Sequence, residues 1–168
     1  MKIDFIVISG ILVIISFLPF ILLPILGMKD HKHLLHSFKE TALTMGLNIS
    51  YKLQWNTNIA GIDILKRQFL FIQKPENDLL ISRVNLNEVN EVKLVIQNCE
   101  FKLQDKIMQT LSRIDLEFYT RNSNETVLVN VFDYDLNYTE DLEIKNAQKL
   151  LVELQKYIIA KPVLRHSA

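Results

Sequence analysis

The sequence predicts an α+β, mainly β chain: an N-terminal transmembrane helix and a connector helix, then seven antiparallel strands closed by a C-terminal amphipathic helix. Three observations predict it. From Phe5 to Gly27, twenty-three residues pass without a formal charge. Between Leu47 and Tyr134, apolar and polar residues alternate in segments separated by turn formers, the pattern of half-buried strands. From Glu140 to Ala160 the apolar residues Ala147, Leu150, Leu151, Leu154, Tyr157 and Ile158 fall instead on one helical stripe.

An apolar helix as long as the first segment rises about 34 Å, enough to cross a hydrocarbon core of about 30 Å. The run exceeds the usual core of a signal peptide and ends in no A-x-A-like cleavage site, so it is expected to be retained as an anchor. Phe5, Ile15 and Leu26 mark the span, and Pro19 and Pro24 are expected to kink it by removing backbone donors. Lys29, Lys32 and Lys39 follow the span, whereas Lys2 ahead of it is offset by Asp4. The positive-inside rule then predicts a single-pass protein of the inner (cytoplasmic) membrane with its C-terminal domain in the cytoplasm. The expected organisation is an anchor over 1–27, a connector helix over 28–46, a β domain with its helix over 47–161, and a tail over 162–168.

Asp30 can cap the connector helix, which carries Leu34, Leu35, Phe38, Ala42 and Met45 at near-helical spacing and stops at Gly46. The alternation from Leu47 to Trp55 reads as a first strand, Asn56-Thr57-Asn58 as a turn, Ala60 to Leu65 as a second strand and Phe69 to Ile72 as a third. Lys74 to Asp78 is a turn before Leu79 to Val84, and Leu86, Val89, Val92, Leu94 and Ile96 lead through a short loop into a fifth strand. Asn98 to Ser112 reads as a longer connection with a helical turn around Ile107, Met108 and Leu111. Ile114 to Thr120 and Thr126 to Tyr134 complete the strands. Thr139 is a plausible cap for the last helix, whose acidic start suits the helix dipole, and Pro162 lies beyond its end.

Composition excludes several classes. Nineteen basic and nineteen acidic residues leave no net charge, which argues against a nucleic-acid surface. The few glycines stand in no phosphate-loop context, so no nucleotide is expected. Asp133, Asp135 and Asn137 have the opening spacing of a calcium loop, but Tyr138 and Ile144 occupy its glycine and closing glutamate positions, and a solvated turn is the simpler reading. His31, His33 and His36 do not form a good helical ligand set. Cys99, the one cysteine, has no histidine within sixty residues to activate it. No catalytic, cofactor or metal residue is assigned, and no enzyme is expected. Trp55, Phe69 and Phe71 are candidates to line a groove, although aromatics at strand spacing usually belong to a core.

Seven antiparallel strands closed by one helix is the element order of the pleckstrin-homology-like (PH-like) barrel. The run Asn56 to Ile72 (NTNIAGIDILKRQFLFI), followed by VNLNEVNEVKLV at Val84 to Val95, is similar to single-span membrane proteins of Bacteroidota bacteria and to bacterial PH and GRAM-type domains. The resemblance implies a barrel plugged by its helix and a scaffold that presents loops and a groove to a protein or peptide partner. Lipid-binding PH domains carry Lys and Arg around the first hairpin loop. Asn56 to Ala60 has none, so specific phosphoinositide binding is not implied.

The expected function is a non-catalytic, membrane-anchored binding or scaffold protein, an accessory subunit whose partners are the lipid bilayer and another membrane protein. One alternative is a sensor of membrane surfaces or lipid head groups, using Lys29, Lys32, Lys39, Lys66 and Arg67. The other is a membrane-bound enzyme built on side chains distant in sequence.

Overall fold

The computed structural model describes residues 10, 12–18, 32–75, 78–103, 106–121, 125–136 and 142–158, with backbone alone at 101, 103 and 106–108. The chain divides into two compact units, Met1–Ser37 and Phe38–Ala168.

In the first unit, residue 10 and residues 12–18 are helical. This corrects the expectation of a transmembrane anchor, and with it that of a single-pass inner-membrane protein. Among the described residues no helix is long and apolar enough to cross a membrane. Ile15 lies in this segment and is exposed, while Phe5, Pro19, Pro24 and Leu26 lie outside the described residues.

The connector helix, α1, covers 32–44, and its residues from Phe38 on belong to the second unit. Gly46 ends it with φ 63°, the left-handed conformation that glycine adopts without steric cost. The Leu47 N–H reaches back to the Ala42 carbonyl at 2.8 Å and the Gly46 N–H to that of Leu43 at 2.9 Å, the paired bonds of a Schellman stop. Asp30, read as its cap, lies outside the described residues.

Seven strands follow, all paired antiparallel: β1 (Tyr51–Trp55), β2 (Asn58–Asp63), β3 (Gln68–Gln73), β4 (Leu80–Asn85), β5 (Val89–Leu103), β6 (Lys106–Thr120) and β7 (Thr126–Asp133). They form two sheets, β1-β2-β3-β4 and β5-β6-β7, and not the closed barrel that the sequence suggested. A 3-10 turn at Leu86–Glu88 joins the sheets. The β1–β2 hairpin turns through Asn56 at φ 42°, and the β2–β3 hairpin through Arg67 at φ 51°.

The inner faces of both sheets and the helix α2 (Glu143–Gln155) share one core, with Ile62, Phe69 and Phe71 from the first sheet, Ile114, Leu116 and Phe118 from the second, and Leu150 and Leu154 from the helix. Strands β2 and β3 are buried at every position, which is why Phe69-Leu70-Phe71-Ile72 is continuously apolar where a one-sided strand would alternate. On the outer face Phe38 closes against Gly61, where a Cβ would lie 2.5 Å from the ring.

Two elements differ from expectation. The segment read as a connection with a helical turn is instead the far half of a long hairpin, in which Asn98 pairs with Leu111 and Lys102 with Ile107. Pairing across the hairpin supplies the backbone partners that a helical turn would otherwise provide. The last helix is shorter than 140–160, and its N-cap is Leu142 at φ 54° with no side-chain cap bond. Thr139 and Pro162 lie outside the described residues.

Candidate binding groove

Apolar spacing along β5 changes at its start. Val89 and Val92 stand three apart, whereas Val92, Leu94 and Ile96 stand two apart. A period-two strand keeps both valines on the core face only if one residue is set out of register. The register does shift there: Val89 pairs with Thr120 and Glu91 with Tyr119, leaving Asn90 over. Val89 and Val92 are both buried as a result.

Because β5 is an edge strand, the bulge faces no third strand. It borders a cleft of about 200 Å³ between the strand and the end of α2, lined by Asn90, Glu91, Val92, Gln155 and Ile158. The Asn90 Oδ1 atom is buried yet has no hydrogen-bond partner, an arrangement that costs about 1–3 kcal/mol unless a ligand or water answers it. Glu91 is held by Lys93 at 3.6 Å, and the Lys93 ammonium lies 4.7 Å over the Tyr119 ring. On α2, Glu153 accepts bonds from Lys156 at 2.6 Å and from the Tyr157 hydroxyl at 3.0 Å. The Lys156 bond holds the Glu153 carboxyl below its usual range and, reciprocally, the Lys156 ammonium above its own. The groove therefore has a hydrophobic flank at Val92 and Ile158 and one unanswered acceptor.

The helix forming its other wall is locked in place by a buried carboxylate. Glu143, 1% exposed, accepts the Trp55 indole N–H and, at 2.7 Å, an amide N–H of Asn56. The α2 start is thereby tied to the β1–β2 hairpin. Trp55 is 6% exposed, Phe69 0% and Phe71 1%; the Phe71 ring is tilted against Trp55 with centroids 6.0 Å apart and stacked on Phe69 at 6.4 Å. The structure brings these three together in the core.

Lys29 lies outside the described residues, Lys32 belongs to the first unit, and Lys39, Lys66 and Arg67 to the second. Lys66 Nζ donates to the Gly46 carbonyl at 2.5 Å, and Arg67 serves the left-handed position of its turn. Asp133 lies 3.7 Å from Arg113, which also pairs with Asp115 at 2.6 Å. That short bond, with both carboxylates nearby, raises the Arg113 pKa above its ordinary value. Among the described residues no group of three or more His, Cys, Asp or Glu side chains is placed to hold a metal. Cys99 is exposed.

Sequence reasoning missed Asn90, Gln155 and Glu143. Only the first had a readable signal, the three-residue step between Val89 and Val92. No family model, curated protein or solved structure matches the chain at a significant level.

Proposed function

We propose that the second unit is a non-catalytic binding domain of the PH-like class that takes an extended peptide of a protein partner beside β5. Its order of a four-stranded sheet, a three-stranded sheet and a helix is the arrangement that a PH-like reading asks for, and the resemblance of Asn56 to Ile72 and Val84 to Val95 points the same way. The observation that carries the reading is the unpartnered Asn90 Oδ1 at a bulged edge, beside an apolar flank supplied by Val92 and by Ile158 just past the end of α2. An incoming strand offers what this site lacks: a backbone N–H for the amide, further main-chain bonds along the edge, and a side chain for the space between Val92 and Ile158. In this role the protein acts as an accessory or scaffold subunit.

Panning a displayed peptide library against the full chain tests the reading. Recovered peptides should bind in solution, and Asn90→Ala and Ile158→Arg should each weaken them about tenfold or more, equivalent to about 1.4 kcal/mol. A library that yields no binder, or binders indifferent to both substitutions, sinks the proposal.

A further inference from the structure

The β5–β6 hairpin is longer than the sheet that supports it. Strand β7 pairs with β6 from Arg113 onward, and the Tyr134 N–H adds one more bond to the Ser112 carbonyl at 2.9 Å. From Leu111 to the hairpin tip the described chain is a two-stranded arm, with 98–103 facing 106–111. A two-stranded ribbon is marginal in water by itself. Its β5 side presents a row of backbone groups directed away from β6, the feature that recruits another strand. Gln97, Asn98, Cys99, Glu100 and Lys102 are exposed along this edge.

We propose that this edge pairs with the same edge of a second copy of the chain, antiparallel, about a twofold axis at residue 101. The charges select both the occupant and the register. Antiparallel edges join residues of like parity, because only alternate residues direct their N–H and C=O outward. A twofold at 100 would set Glu100 against Glu100, and one at 102 would set Lys102 against Lys102. A twofold at 101 sets Glu100 against Lys102 of the second copy, and Lys102 against its Glu100, so that one self-complementary patch provides two opposite-charge pairs. Within one copy Glu100 accepts a 2.7 Å bond from its cross-strand neighbour Gln109 on β6, so the intermolecular pair with Lys102 uses the carboxylate's remaining acceptor capacity. The resulting sheet has four strands where each arm alone has two, and it uses none of the residues that line the α2 groove.

Sedimentation equilibrium of the full chain should show a reversible, concentration-dependent dimer. Glu100→Lys and Lys102→Glu should each weaken it at least about tenfold, because like charges then face one another. The double exchange Glu100→Lys with Lys102→Glu should restore it to within about threefold, for the same electrostatic reason. Both substitutions are at exposed positions, and circular dichroism checks that the three variants remain folded. Register is read by Phe101→Cys in a Cys99→Ser background. Residues facing one another across antiparallel strands have Cα atoms about 4.5–5.5 Å apart, inside the roughly 4.4–6.8 Å that a disulfide spans. Mild oxidation should link the copies there but not through Asn98→Cys in the same background. A chain monomeric at every concentration overturns the proposal. So does a dimer indifferent to either charge reversal, a double exchange that fails to restore association, or linkage at 98 in preference to 101.

Discussion

Asp63 and Glu143 are each 1% exposed, and each carboxylate is met by donors from another segment. Glu143 binds side chains, so its loss would strand the buried Trp55 indole at a cost of about 1–3 kcal/mol. Asp63 binds backbone: Asn48 N–H donates to Oδ2 at 2.8 Å and Lys66 N–H to Oδ1 at 2.9 Å. Burial alone pushes the Asp63 carboxyl up. The Lys66, Asn48 and Leu65 N–H groups, with the Lys66 ammonium, outweigh it and hold the pKa below its ordinary 3.8. A folded-state pKa below the unfolded one means that the stabilisation is complete above about pH 4 and is lost as pH falls through the folded value. Asp63→Asn replaces one acceptor oxygen with an NH2 that confronts a backbone N–H. It should cost about 2 kcal/mol at pH 7, measured by urea unfolding, and the gap from the wild type should narrow by pH 3. A gap that stays constant on acidification would show that the charge on Asp63 contributes nothing.

At the scale of elements, α1 and β2 explain each other. Phe38 sits over Gly61 so closely that a Cβ there would lie 2.5 Å from the ring and 2.9 Å from Ile49 Cγ2. Since interiors absorb added volume poorly, Gly61→Ala should destabilise the fold by about 1–3 kcal/mol. The penalty should shrink when Phe38→Leu removes the ring, and an equal penalty in both backgrounds in thermal unfolding would refute the packing argument. The glycine was visible in the sequence as an interruption of an apolar strand, but the ring above it was not, because twenty-three positions separate them. Strands with a one-sided environment, such as β1, were legible from alternation alone. The arm was not: Ile107, Met108 and Leu111 satisfy helical and strand spacing about equally, and only the pairing partner decides between them. The groove was half legible, since the Val89 to Val92 step announces a bulge but gives no hint that α2 ends beside it.

Within the second unit, the two sheets and α2 close on one core while the hairpin extends past it, so stability cannot be uniform. Strands β2 and β3 are buried on both faces and bonded on both edges. Their amides can exchange only when the whole unit opens. The arm has two strands and exposed residues at 97–100, and a separate fluctuation suffices to break its bonds. This difference follows from chain topology: β7 ends where its partner continues, so its last backbone bond to β6 is at Ser112 and the last buried side chain of β6 toward the tip, among the described ones, is Leu111. Native-state hydrogen exchange on the dilute full chain should therefore place β2 and β3 amides at the global unfolding limit. Amides of 98–102 and 107–111 should exchange faster by at least about a hundredfold, a gap of roughly 2.7 kcal/mol in opening free energy. Raising the protein concentration should slow exchange in the arm while leaving β2 and β3 unchanged, because a second copy would cap the open edge without altering the core. Arm amides as slow as those of β2 at dilution would mean that the hairpin folds as part of the core, and that the chain gains nothing by pairing its edge.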